Sequence, residues 1–253
     1  AESLQNEDAV IVQTTSPPQD ERLVQLLLMA DNAQDMKAKS ITAVVPYFAY
    51  SRQDKRFLPG EALSVKTVVK MLENCGVSRM ITVNAHNPAV LKMLKIPIED
   101  LSAISLLAEY FKEKGLVRNP LSLSLGKKGV SVAMEADGVL KSGYDYISTK
   151  RDARTGNVTL EDKKLPVKNR DVIVFDDIIS SGGTMAKAVK AVKDQGATKV
   201  YAACVHPLLT RDSQEKILEN GAEEIIGTDC VQSPVSKVSV APLIAKALIR
   251  EGA

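Results

Sequence analysis

The apolar run Val172-Ile173-Val174-Phe175 ends in two adjacent carboxylates, Asp176 and Asp177. After two isoleucines come Ser180, Ser181, Gly182, Gly183 and Thr184. Acids and hydroxyls are costly to place at the end of a buried strand unless something occupies them, so this grouping points to a ligand. The two glycines let a ligand approach the backbone. The hydroxyls and main-chain N–H groups suit a phosphate, and a helix expected over Gly183–Gln195 turns its positive end to the same place. Acids beside a phosphate repel it unless they face another part of the ligand, such as sugar hydroxyls or a magnesium ion. Asp176 and Asp177 therefore read as the ribose end of a sugar-phosphate site, with Ser180–Thr184 as its phosphate end. The plainer alternative is a helix N-cap preceded by two acids. Neither G-x-x-x-x-G-K-[ST] nor G-x-G-x-x-G occurs, so this is not one of those two nucleotide loops.

Such a junction needs a strand to carry the acids and a helix to receive the phosphate. Short β-branched runs predict strands at Val10–Gln13, Ile41–Val45, Met80–Val83, Val130–Ala133, Val172–Val174 and Val200–Val205. Helical periods lie between them at Glu21–Met36, Ser64–Cys75, Ser102–Lys114, Gly183–Gln195, Arg211–Asn220 and Ser239–Glu251. Several of these stop at glycines 76, 115, 196 and 221. Strand alternating with helix gives an α/β class with mostly parallel sheets. The stretches "MLENCGVSRMITVNAH" (71–86) and "AVKDQGATKVYAACVH" (191–206) share one design of helix, glycine, polar turn, strand and histidine, which suggests two α/β halves joined near Pro97–Ser102. The polar stretch Lys150–Arg170 reads as an exposed flap or a plain solvated hairpin.

Composition narrows the classes. With 253 residues, 45% hydrophobic and 25% charged, the chain can bury a core of one large or two modest domains. Lysine and arginine total 33 against 31 acids, a net charge of +2, so no global field draws nucleic acid or an anionic membrane. Cys75, Cys204 and Cys230 are odd in number and form no C-x-x-C pair, which argues for reduced thiols in a cytoplasmic protein. No run of 18 apolar residues and no secretory leader is visible.

"VIVFDDIISSGGT" (172–184) resembles the phosphoribosyl-diphosphate (PRPP) fingerprint of the type I phosphoribosyltransferase fold. "VVPYFAYSRQDKRFLPGEALSVKTV" (44–68) resembles a segment of ribose-phosphate pyrophosphokinases, the PRPP synthetases. "ITVNAH" (81–86), "IPIEDLSAISLLAEY" (96–110), "YDYISTKRD" (144–152) and "AACVHPLL" (202–209) continue the likeness along most of the chain, nearest to archaeal members.

This resemblance implies two phosphoribosyltransferase-like, Rossmann-like domains with mostly parallel sheets flanked by helices. Residues 1–100 with the C-terminal helix 237–253 would form an ATP-side domain, and residues 101–236 a ribose 5-phosphate domain. The implied reaction moves the diphosphoryl group of ATP to the 1-hydroxyl of ribose 5-phosphate, giving PRPP and AMP. By similarity, Arg52, Gln53, Asp54 and His86 would bind ATP, with His86 also at the magnesium. Lys150, Arg151 and His86 would be catalytic, and Asp176, Asp177, Ser180, Ser181, Gly182, Gly183 and Thr184 would hold ribose 5-phosphate. His206 is read as structural. The implied cofactor is Mg2+, with ATP as substrate, and the implied assembly is a homodimer or higher homo-oligomer. The resemblance also implies a strand and helix upstream of residue 1.

The chain departs from the family pattern in two places. Leu125-Gly126-Lys127-Lys128-Gly129 stands where the family has an acid-bearing turn, an exchange that favours phosphate over magnesium. Thr149 takes the place of the flap lysine, and Lys150 lies one residue along, which on an extended strand means the opposite face. Two further readings follow: a weakened regulatory or binding subunit of the same family, and a base phosphoribosyltransferase.

Overall fold

The computed structural model describes residues 3–53, 56, 59–91, 95–151, 158–161 and 163–250. The chain divides into two compact units, residues 1–102 with 241–253, and residues 103–240.

The first unit runs β1 (Asp8–Val12), α1 (Gln19–Asp35), β2 (Ser40–Val45), α2 (Ser64–Asn74), β3 (Arg79–Val83), the short α3 (Pro88–Leu91) and β4 (Ile98–Leu101). Its four strands pair in the order β1-β2-β3-β4, all parallel. Leu23, Leu26, Ala30 and Ala33 of α1 and Val65, Val68, Val69 and Leu72 of α2 recur at helical spacing. They bury against Ile41, Ala43, Val45 and Met80 of the sheet.

The second unit begins with α4 (Ile104–Glu113), β5 (Pro120–Leu125), a 3-10 turn (Lys127–Gly129), α5 (Val130–Leu140) and β6 (Tyr144–Ile147). The antiparallel pair β7 (Thr149–Arg151) and β8 (Val158–Leu160) follows. Then come β9 (Asp171–Ile179), α6 (Gly183–Asp194), β10 (Lys199–Pro207), α7 (Ser213–Glu219), β11 (Glu224–Thr228) and β12 (Ser236–Val238). The chain closes on α8 (Ala241–Ile249), grouped with the first unit. The six-stranded sheet has the order β12-β11-β10-β9-β5-β6 and is parallel throughout. One face packs Val172, Val174, Val200, Ala202 and Leu123 against Met185, Ala188, Val189 and Val192 of α6. On the other face Phe111 of α4 meets Tyr201 edge-on at 5.4 Å and Phe175 at 6.4 Å. Both faces are covered, which is why the strands read as continuous apolar runs.

One expected strand is corrected. Val130–Ala133 is the first turn of α5, whose run continues to Leu140, and the strand of this region is Pro120–Leu125. The β-branched residues at 130 and 132 suggested a strand, but packing on β5 and β6 overrides that preference. The Leu/Ser alternation of β5 disguised a strand buried on both faces, where the hydroxyls of Ser122 and Ser142 lie 2.8 Å apart.

Candidate functional site

In the second unit the acids sit on the strand itself. β9 stays paired with β10 to its end, with Asp176 opposite Cys204 and Ile179 opposite Pro207. On its other side β5 stops at the Ser124–Phe175 pair, so Asp176 and Asp177 lie beyond the last rung and are half-buried. Asp176 Oδ1 accepts the Asp177 N–H at 3.0 Å, and Asp177 Oδ1 accepts the Ile178 N–H at 2.9 Å. These bonds fix both carboxylates at the carboxyl end of a central strand, where α/β sheets bind ligands. Burial pushes the Cys204 thiol well up, with Asp176 the next cause, so Cys204 is packing and not a nucleophile.

The turn after β9 has the form an anion needs. Gly182 has φ 70 and ψ −8, a left-handed conformation, and its carbonyl accepts the Ala186 N–H at 2.8 Å to start α6. A Cβ there would lie 2.9 Å from the Ser213 carbonyl oxygen, so only glycine fits. At Gly183 a Cβ would meet nothing within 4 Å among the described residues, so they leave the backbone open. No side chain caps the helix, Ser181 is exposed, and Ser180 and Thr184 are half-buried. Uncapped N–H groups and the positive helix end lie beside three hydroxyl-bearing residues, a set of donors that can hold a phosphate.

The β7–β8 hairpin approaches this region from β6. Thr149 Oγ1 lies 2.8 Å from where a Gly126 Cβ would be, so Thr149 faces the Lys127–Gly129 turn. Strand alternation then sets the exposed Lys150 on the opposite face. Arg151 ends β7, paired with Val158. Lys163 anchors the return of the hairpin, with Nζ 2.5 Å from Asp145 Oδ1, 3.0 Å from the Tyr146 carbonyl and 3.4 Å over the Tyr146 ring. Lys187 of α6 reaches the Val158 carbonyl at 3.4 Å. The exposed Lys127 and Lys128 stand at the carboxyl end of β5, next to the strand that carries the acids.

In the first unit, Arg52 and Gln53 lie on the turn after β2 and are exposed. The buried Thr15 hydroxyl supports that turn from below, donating to the Tyr47 carbonyl and accepting the Ala49 N–H, each at 2.8 Å. The Gln53 amide oxygen accepts the Ser64 hydroxyl at the start of α2. Asp54 lies outside the described residues. His86 is exposed on the turn that leaves β3. That turn is gripped by β4 and its end. The Leu101 carbonyl accepts the Asn84 N–H at 2.8 Å, Asp100 Oδ1 accepts the Ala85 N–H at 2.9 Å, and Asn84 Nδ2 reaches Ser102 Oγ at 3.4 Å. Burial pushes the Asp100 carboxyl up to about 6, with the Ala85 bond opposing the shift. Sequence reasoning passed over Asp100, whose partner is the Ala85 backbone N–H fifteen residues away.

Among the described residues no group of three or more His, Cys, Asp or Glu side chains is placed to hold a metal ion. No helix among them is long and apolar enough to cross a membrane.

Comparison with known proteins agrees with this architecture. Residues 1–76 match the family described as the N-terminal domain of ribose phosphate pyrophosphokinase, and residues 94–235 match the phosphoribosyl transferase domain. The ribose-phosphate pyrophosphokinase of Methanopyrus kandleri is 40% identical over 239 residues, covering 94% of this chain and 81% of that one. Its counterpart in Saccharolobus solfataricus is 36% identical over 230 residues, 90% of this chain and 78% of the other. The crystal structure of phosphoribosylpyrophosphate synthetase from Mycobacterium smegmatis superposes with a TM-score of 0.86 at 28% identity, covering 100% of this chain and 85% of that one.

Proposed function

Because the chain belongs to the ribose-phosphate pyrophosphokinase family, we propose that it transfers the diphosphoryl group of ATP to the 1-hydroxyl of ribose 5-phosphate, giving PRPP and AMP. The observation that carries the reading is the strand-to-helix junction Asp176–Thr184, where two fixed carboxylates adjoin an open phosphate turn.

In this reading Ser180, Ser181, Gly182, Gly183 and Thr184 take the 5-phosphate through main-chain N–H groups and hydroxyls. Asp176 and Asp177 accept hydrogen bonds from the ribose hydroxyls, which fixes the orientation of the sugar and its anomeric oxygen. Arg52, Gln53 and Asp54 bind ATP, the guanidinium suiting both phosphate and a base face, and His86 meets the nucleotide from the end of β3. The 1-oxygen forms a bond to the β-phosphorus while the bond from that phosphorus to the α,β-bridging oxygen breaks. AMP leaves with that oxygen and the 1-hydroxyl gives up its proton. Displacement at phosphorus asks mainly for positioning and for positive charge at the transferring oxygens. Lys150 and Arg151 of the hairpin would supply that charge.

Mg2+ usually keeps several waters and is held largely by substrate phosphates, so it belongs with ATP, and His86 would adjoin the complex it makes. Assembly into a homodimer or larger homo-oligomer, and a cytoplasmic location, belong to the same proposal.

Phosphorus NMR with ATP, magnesium and ribose 5-phosphate tests the reading. AMP and new diphosphate resonances are expected, at a rate far above that of an Asp176→Ala, Asp177→Ala control. The second reading is a weakened binding subunit. It is favoured by Thr149 facing Gly126 where a lysine would otherwise stand, and it predicts that both substrates bind with no product.

A further inference from the structure

We infer that Asp100 is a positioning residue for His86, holding the Asn84-Ala85-His86 turn in place by accepting the Ala85 N–H. This rests on the reading that His86 meets the nucleotide.

The register of the first sheet explains why the grip falls here. Thr82 lies opposite Asp100 and Val83 opposite Leu101, so β3 ends level with β4 and the chain must turn away without a further rung. Asn84, at φ 41, makes that turn in the left-handed region. A turn beyond the ladder keeps its shape only if something else takes its N–H groups. β4 supplies a carbonyl for Asn84 and a carboxylate for Ala85, and His86 follows directly, exposed.

The residue type at 100 is the telling feature. Glu99 uses its carboxylate in the ordinary way, with Oε2 2.7 Å from Arg79 Nη2. Among the described residues, Asp100 is shifted by burial and by the Ala85 bond and by no cation. Burial of this carboxylate costs folding free energy, which an apolar residue on this strand would avoid. What the chain gains is a charge-assisted bond on the peptide that leads into His86.

The test is steady-state kinetics of the full chain with ATP varied at saturating ribose 5-phosphate. The proteins are the wild type, Asp100→Ala, Asp100→Asn, His86→Ala and the Asp100→Ala, His86→Ala double variant. Hydrogen exchange of the Ala85 amide is followed alongside. Asp100→Ala is expected to raise KM for ATP about tenfold, the loss of one charge-assisted hydrogen bond, and to leave KM for ribose 5-phosphate unchanged. Asp100→Asn, whose amide oxygen still accepts the Ala85 N–H, should recover most of that loss. The double variant should be no worse than His86→Ala. Should the alanine variant not fold, Asp100→Leu, branched at Cγ in the same way and without an acceptor, takes its place. An unchanged KM for ATP in Asp100→Ala, an Asn variant as impaired as Ala, or singles whose effects multiply in the double would overturn the inference. If His86→Ala itself leaves KM for ATP unchanged, the nucleotide reading of His86 fails. Ala85 exchange still decides the grip: faster exchange in Asp100→Ala sustains it, and unchanged exchange sinks it.

Discussion

Gly182 and Asp100 are the two residues whose chemistry the fold constrains most visibly. Gly182 combines a left-handed φ with a Ser213 carbonyl oxygen 2.9 Å from where a Cβ would be. Gly182→Ala should therefore cost about 1–3 kcal/mol of stability and raise KM for ribose 5-phosphate, read by thermal denaturation and kinetics together. At Asp100 the sign of the pH effect is fixed by the direction of the shift. Its folded-state value is pushed up to about 6 from 3.8, so the folded protein holds that proton more tightly than the unfolded chain. The stability this group contributes is full below pH 4 and is lost as pH rises to about 6. Denaturant titrations of the wild type and Asp100→Asn across that window should show the wild type losing stability relative to the variant as pH rises, with a constant difference above it. The acid pair at the end of β9 and the glycine turn into α6 could be placed from the sequence because glycines, hydroxyls and acids were contiguous. Asp100 could not, because its partner is a backbone N–H fifteen residues away that leaves no mark on residue type.

At the scale of elements, the repeated design of helix, glycine, strand and histidine is present twice and ends differently. α2 and α6 both stop near glycines at positive φ, Gly76 at 81 and Gly196 at 94, and each leads into a parallel strand. β3 ends at Val83, leaving His86 exposed on a turn. β10 continues beside β9 to Pro207 and buries His206. The pattern in the sequence is the same, and the length of the neighbouring strand decides which histidine reaches solvent. The hairpin offers a similar case, since the Lys150 register could be counted along the sequence while the Thr149–Gly126 approach could not. Gly126→Ala would strain a φ of 75 and press on Thr149 Oγ1 at the base of the hairpin, and we expect kcat to fall more than either KM changes. Thr149→Ala in the same chain should recover part of kcat, because it removes the clash but not the backbone strain. No recovery would mean that the approach is unimportant.

For the whole molecule, the net charge of +2 gives no long-range pull on two anionic substrates, so their binding must come from local groups in each unit. Arg52 lies in the first unit and Asp177 in the second. Calorimetry should show Arg52→Ala losing affinity for ATP and keeping it for ribose 5-phosphate, with Asp177→Ala the reverse. A variant that loses both substrates equally would argue against this division. The α/β class was legible because sheets covered on both faces demand apolar β-branched runs. The order of the strands was not, since pairing partners are chosen across long separations. That order, β12-β11-β10-β9-β5-β6, bears on how the chain is made. Residues leave the ribosome in sequence, so β5 and β6 meet first, and the other edge of β5 stays open until Asp171–Ile179 has been synthesised. An open edge is where a nascent chain pairs wrongly. The strand that closes this edge is the one that carries Asp176 and Asp177. A newly made chain therefore acquires these two carboxylates in place only as that open edge is closed.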